Sequence, residues 1–227
     1  MKKISIFVSA VITGAMVVPV MAGASNDYPE FPDRVSASQL ENMTKEEKQN
    51  YSESHFAALE QLCEDFKNGK YDWDFNLDGK TDTTDAHCIG WYYVEKMGGK
   101  HDLWYDEYTV NGETVYDEYS PTDEWRDKIA ESGDIDGDGR IDSSDESLML
   151  YAMLSEKETG DINADGSVDA RDSSDILGYY SAKATHETLK YDTENKVKYL
   201  GDVTGDQIID ARDASDILGI YSENATR

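Results

Sequence analysis

Basic side chains are scarce in this chain of 227 residues: 21 lysines and arginines face 48 aspartates and glutamates, a formal net charge of −27. A polyanion gains nothing from phosphates, which argues against nucleic-acid binding. Apolar runs are scarce as well. The one extended run, Ile4 to Val20, follows Met1-Lys2-Lys3 and precedes Ala22-Gly23-Ala24, the order of a secretory signal peptide with a small-residue cleavage site. Thr13, Gly14 and Pro19 interrupt it, and its length is marginal for a membrane span of about 20 residues. Residues 1–24 are therefore expected to direct export and be removed, which takes Lys2 and Lys3 away and the charge from −27 to −29. No other stretch is apolar enough to cross a bilayer.

Cysteine is limited to Cys63 and Cys88. In an exported protein a disulfide between them is the expectation, closing a loop of about 25 residues and stabilising by about 3 kcal/mol. Two buried thiols are the alternative, because spacing alone does not bring Cβ atoms together. Catalytic signatures are missing too: there is no G-x-S-x-G, no histidine-rich cluster and no phosphate loop. Acidic residues are so plentiful that spacing cannot nominate a glycosidase pair. The chain reads as a non-enzyme.

What is present is aspartate at regular intervals. Four twelve-residue segments begin at Asp74 (DFNLDGKTDTTD), Asp134 (DIDGDGRIDSSD), Asp161 (DINADGSVDARD) and Asp202 (DVTGDQIIDARD). Oxygen donors recur at positions 1, 3, 5, 9 and 12, with a backbone carbonyl available at 7. Ca²⁺ takes several oxygen ligands at 2.3–2.6 Å from such a loop, and glycine at position 6 permits its sharp turn. Loop one offers Asp74, Asn76, Asp78, the Lys80 carbonyl, Asp82 and Asp85. Loop two offers Asp134, Asp136, Asp138, the Arg140 carbonyl, Asp142 and Asp145. Loop three offers Asp161, Asn163, Asp165, the Ser167 carbonyl, Asp169 and Asp172. Loop four keeps Asp202, Asp206, the Ile208 carbonyl, Asp210 and Asp213, but has Thr204 at position 3 and Gln207 at position 6. It is expected to bind weakest. A single such segment reads equally well as an acidic turn; four with positions 9 and 12 intact do not. Four Ca²⁺ would leave a charge of about −21, so the metal is expected to stabilise a chain that otherwise repels itself.

The organisation follows from these loops. Residues 25–50 are polar, carry Pro29 and Pro32, and read as a linker or flexible arm. Residues 51–154 read as a divergent domain with two loops: a helix over 52–68 with Phe56, Leu59, Leu62, Cys63 and Phe66 on one stripe, and a leaving helix over Ala86 to Met97. A hairpin over 103–119 turns at Asn111-Gly112, a helix capped by Thr122 or Asp123 leads into loop two, and Leu148 to Leu154 follows it. Residues 155–227 contain a duplication, GDINADGSVDARDSSDILGYYSAKAT and GDVTGDQIIDARDASDILGIYSENAT, with helices placing Ile176 and Tyr180, or Ile217 and Tyr221, on one face, and the two faces are expected to pack on each other. A connecting helix within 186–199 is compatible with the intervening polar stretch. The fold class is mainly α, tandem calcium-loop–helix units with one β-hairpin in the N-terminal half.

Aspartate at position 12, a helix after each loop without a strong one before it, and the duplication over 160–223 resemble the type I dockerin modules of bacterial cellulosomes, such as those of ruminococci and clostridia. The resemblance implies a secreted or cell-surface module that folds on calcium and docks onto a cohesin domain of a scaffoldin within a polysaccharide-degrading complex. It further implies that partner choice lies at Ala170, Arg171, Leu177 and Gly178 and, identically, at Ala211, Arg212, Leu218 and Gly219, so that either repeat can lead. Two other readings remain: a calcium-stabilised structural or adhesive protein without such a partner, and polysaccharide contact through Trp91, Trp104, Tyr105, Tyr108, Tyr116 and Trp125.

Overall fold

The computed structural model describes residues 27–155 and 157–225. The expected signal peptide lies outside them. Short polar caps start the first helices: Ser36 and Gln39 form a capping box for α1 (Ala37–Asn42), and Thr44 and Glu47 form another for α2 (Lys45–Lys67). The chain continues through loop one into α3 (Thr83–Gly98), then β1 (Trp104–Val110) and β2 (Glu113–Tyr119), then α4 (Asp123–Ser132), capped by Thr122. Loop two leads into α5 (Ser143–Leu154), loop three into α6 (Ala170–Thr185), and loop four, after α7 (Tyr191–Leu200), into α8 (Ala211–Ala225). The chain is mainly helical with one antiparallel hairpin.

The hairpin forms where Asn111-Gly112 separates two β-branched and aromatic runs. Both turn residues have positive φ, 53° and 78°, and Trp104 pairs with Tyr119 at the far end. Trp104 and Tyr108 face inward, while Tyr105 and Tyr116 are exposed and meet edge to face at 5.6 Å. Of the six aromatics named for polysaccharide contact, Trp91, Trp104 and Tyr108 are buried and Trp125 packs partly against the core, so most of that stripe is core.

Two apolar clusters result. The first joins α2, α3, α4 and α5 around Leu62, Trp73, Phe75, Ile89, Ile129, Ile135 and Met149. A buried polar group crosses it. Glu95 on α3 accepts from Arg126 Nε at 2.9 Å and from Trp104 Nε1 at 2.9 Å, and Arg126 also donates to the Pro121 and His101 carbonyls. Full pairing is what makes burial of that charge tolerable, and it ties the hairpin's first strand to α3 and α4. The second cluster joins loop three, α6, α7 and α8 around Ile162, Ile176, Val197 and Ile217. Ile176 and Ile217 are fully buried, each contributing on the order of 2–3 kcal/mol. Their neighbours four residues on, Tyr180 and Tyr221, are exposed, and the partly buried Tyr179 and Ile220 pack against the cluster instead.

Helix α7 straps the two clusters together, packing on α3, α5 and α6. Tyr191 at its start hydrogen-bonds Glu146 and stacks on His87 at 3.7 Å, and His87 stacks on Trp91 at 3.8 Å. Burial lowers the His87 pKa to about 3. The unfolded chain takes up a proton near pH 6.5 and the folded chain does not, so this stabilisation is complete above pH 6.5 and is lost as pH falls toward 3. Between pH 6.5 and 5 it amounts to as much as about 2 kcal/mol. Melting of wild type and His87→Phe across that interval should differ in slope by this amount; parallel slopes would mean that the stacked ring protonates in place.

Two expectations are corrected. Residues 27–50 are not a flexible arm. Tyr28 donates to the Ser132 carbonyl at 2.7 Å and accepts from Trp73 Nε1 at 2.8 Å, Phe31 is buried edge-on to His55, and α1 and the start of α2 follow. The anchors are single residues in extended chain, and extended chain between prolines leaves no helical or alternating period to read. Second, no disulfide joins Cys63 and Cys88; both keep their thiols. Helix α5 packs on both α2 and α3 and so mediates between them. Cys88 faces the core of α3, whereas Cys63 is partly exposed with Ser155 Oγ 3.3 Å from its sulfur.

Candidate functional site: four aspartate loops and a duplicated helix face

The four loops share one hydrogen-bond scaffold, dictated by where aspartates sit relative to backbone N–H groups. The position-1 carboxylate accepts from the position-6 amide: Gly79 to Asp74 at 2.9 Å, Gly139 to Asp134 at 3.0 Å, Gly166 to Asp161 at 2.9 Å, and Gln207 to Asp202 at 3.0 Å. The position-9 aspartate caps the following helix, Asp82, Asp142, Asp169 and Asp210 each accepting from the amide two residues on. The position-12 aspartate reaches back to the amides of positions 9 and 3, as Asp85 does to Asp82 at 2.8 Å and to Asn76 at 3.1 Å. Asp145, Asp172 and Asp213 repeat this. All four position-12 side chains are fully buried. Position 2 is the anchor: Phe75, Ile135 and Ile162 sit in the apolar clusters, an alternation of apolar and acidic residues legible in the sequence but not exploited there.

In loop two this geometry brings three acids together. Carboxylate oxygens of Asp134, Asp136 and Asp138 lie within 4.8 Å of one another, and Asp134 Oδ1 is buried without a hydrogen-bond partner. Burial raises the Asp134 and Asp136 pKa values, pushes Asp85 up to about 7, and holds Asp145 well above the usual carboxylate range, with the nearby Asp136 charge adding to it. Converging, desolvated carboxylates of this kind favour a hard cation, which removes the repulsion that holds their protons on. The donor set fits Ca²⁺.

Position 4 changes the assessment of loop four. It is left-handed in every loop: Leu77 (φ 58°), Gly137 (71°), Ala164 (58°) and Gly205 (72°). Loops one and three thus strain a side chain at position 4 where loop four has glycine, and loop four strains Gln207 (φ 68°) at position 6 where the others have glycine. The backbone penalty is shared out rather than special to loop four. What distinguishes it is Thr204, whose hydroxyl donates to Asp213 Oδ1 at 3.0 Å. Gln207→Gly should stabilise the fold by about 1 kcal/mol in thermal melts, by removing loop four's last left-handed side chain; no gain would place the strain elsewhere.

The residues assigned to partner choice all lie on the open side of α6 and α8. Ala170, Gly178, Ala211 and Gly219 are exposed, Leu177 and Leu218 are 46% and 45% exposed, and the Arg171 and Arg212 side chains 67% and 59%. The two leucines are therefore surface residues and not core. Each arginine lies against its own loop, Arg171 on Asp165 and Asp169 and Arg212 on Asp206 and Asp210, which holds the Asp169 and Asp210 carboxyls below their usual range. Ser173 Oγ donates to the Ala214 carbonyl at 2.9 Å, fixing α6 against α8.

No helix among the described residues is long and apolar enough to cross a membrane. Comparison with curated proteins and with solved structures finds no match. A family match covers loop two, α5, loop three and most of α6. It straddles the two apolar clusters and ends before α7 and loop four, so it overlaps the expected 155–227 unit only in part. Residues 132–179 match the dockerin type I domain, which supports a domain of that type in this chain.

Proposed function

We propose that this is a secreted, non-catalytic, calcium-binding protein that docks through α6 and α8 onto a cohesin domain, as an adaptor in a polysaccharide-degrading complex. One observation carries the reading: the same exposed Arg-Leu-Gly set occurs twice, on helices packed through Ile176 and Ile217. An exposed leucine beside an arginine is the composition of a small recognition patch. The type I dockerin match and the four loops supply its family context and its metal. Calcium would be held in loops one and three by Asp74, Asn76, Asp78, Asp82 and Asp85 and by Asp161, Asn163, Asp165, Asp169 and Asp172. Loop two would use Asp134, Asp136, Asp138, Asp142 and Asp145. In loop four the donors are Asp202, Asp206, Asp210 and Asp213 with Thr204. The carbonyls of Lys80, Arg140, Ser167 and Ile208 complete the sets. The ion fixes the loop from which each recognition helix starts.

The test is capture from secreted and cell-surface fractions with the full protein as bait, in calcium and in EGTA. Calcium-dependent recovery of a cohesin-bearing protein supports docking. A folded, calcium-loaded bait that retains nothing specific returns the protein to the structural or adhesive class.

A further inference from the structure

We propose that Arg34 is an internal cation seated in loop two, so that the N-terminal segment and calcium compete for the same carboxylates. The inference rests on the reading of the loops as calcium sites. The Arg34 guanidinium reaches three of loop two's five side-chain donors: Nη2 lies 2.8 Å from Asp136 Oδ2, Nε 3.0 Å from Asp138 Oδ2, and Nη1 3.0 Å from Asp142 Oδ2. Those are positions 3, 5 and 9. Arg171 and Arg212 touch only positions 5 and 9 of their own loops, from the exposed side. Arg34 comes from about a hundred residues away and is the least exposed of the three arginines, 31% at the side chain against 67% for Arg171 and 59% for Arg212.

Its delivery is built into the fold. Tyr28 is fastened to the carbonyl of Ser132, two residues before loop two begins, and Phe31 is buried in the first cluster. Three residues beyond Phe31, the guanidinium is held at the loop without having to secure its own position. A cation tethered so closely acts at an effective concentration of about millimolar or above. Extracellular calcium loops bind at about 10⁻⁴–10⁻³ M, weakly enough that a tethered cation occupying the loop most of the time moves the calcium midpoint into a readily titrated range. A guanidinium stays charged at all working pH values and its planar fork suits carboxylates. Calcium needs the same oxygens at 2.3–2.6 Å, which leaves no place for a second cation among them. A site closed about 90–99% of the time loses about 10- to 100-fold in apparent affinity.

Loop two is thereby kept folded in low calcium, while loops one and three depend on the ion. The experiment is a calcium titration from EGTA followed in ¹H–¹⁵N spectra of wild type and Arg34→Gln, reading the amides of Gly79, Gly139 and Gly166, each bonded to the first carboxylate of its loop. In wild type Gly139 should respond at calcium at least tenfold above Gly79 and Gly166. In Arg34→Gln its midpoint should fall at least tenfold, with the other two within twofold. Arg34→Lys, which keeps the charge without the fork, should fall between them and serves if the glutamine variant does not fold. If Gly79 and Gly166 respond and Gly139 titrates alike, or more weakly, in the variants, Arg34 is a balancing cation beside a bound ion and the competition is overturned. If no loop responds in any protein, the calcium reading falls and the competition with it.

Discussion

Raising calcium from chelated conditions to 10 mM should lift the melting temperature by about 10–20 °C. A ligand that binds only the folded state at 100 times its dissociation constant stabilises by about 2.7 kcal/mol, and 10 mM stands in that ratio to a site of about 10⁻⁴ M. Two such sites, loops one and three, give about 5 kcal/mol, and for a chain of this size each kcal/mol moves the transition by about 2–4 °C. The structure gives the reason for the dependence. The position-12 aspartates are fully buried, and in the first pair burial drives Asp85 and Asp145 toward the protonated form, so the loops need a positive charge to keep these acids ionised inside the fold. Calorimetry in EGTA and in calcium measures the shift. An unchanged melt would remove calcium from the account and leave the loops as acidic turns held by their own backbone hydrogen bonds.

The parts of this fold that were legible in the sequence are those governed by short-range rules. The hairpin followed from Asn111-Gly112, α4 from its Thr122 cap, and the turns of the four acidic segments from their Asp and Gly spacing, because each depends on residues within one turn of one another. Helix ends read less well: α2 starts at Lys45 rather than near 52, since its first turns are polar and carried by the Thr44–Glu47 box instead of an apolar stripe, and Phe56 on that stripe is exposed. Long-range placement was not legible. Nothing local to Tyr28, Phe31 or Arg34 says that they meet Ser132, His55 and Asp136. The left-handed fourth position of each loop was missed for another reason: Leu77 and Ala164 stand there where a glycine would have signalled it. The pairing of α6 with α8 across α7 followed from the duplication, whereas the exposure of Leu177 and Leu218 had to come from the packing, since a leucine on an amphipathic helix reads equally well as core.

Replacing Arg171 and Leu177 together by alanine, or Arg212 and Leu218 together, should weaken cohesin binding by no more than about twofold, while the quadruple variant loses at least 100-fold. The asymmetry follows from duplication. If either helix can lead, removing one face deletes one of two equivalent orientations, a statistical change of about 0.4 kcal/mol. Removing both leaves no arginine or leucine anchor, and losses of about 2 kcal/mol or more are typical for such residues at the centre of an interface. The first loop pair cannot take over. The positions equivalent to Ala170, Leu177 and Gly178 are Thr83, Gly90 and Trp91 in loop one's unit, and Leu177 is matched by Leu150 in loop two's. Thr83, Trp91 and Leu150 are buried, Gly90 lies under Glu146, and Thr83 hydrogen-bonds Asp192 of α7. The chain has covered that face with its own helices and hairpin, leaving α6 and α8 as the open pair. Titration calorimetry with the cohesin recovered in calcium reads both outcomes. Complete loss in either double variant would show that one repeat alone docks and that the other copy of the face is unused.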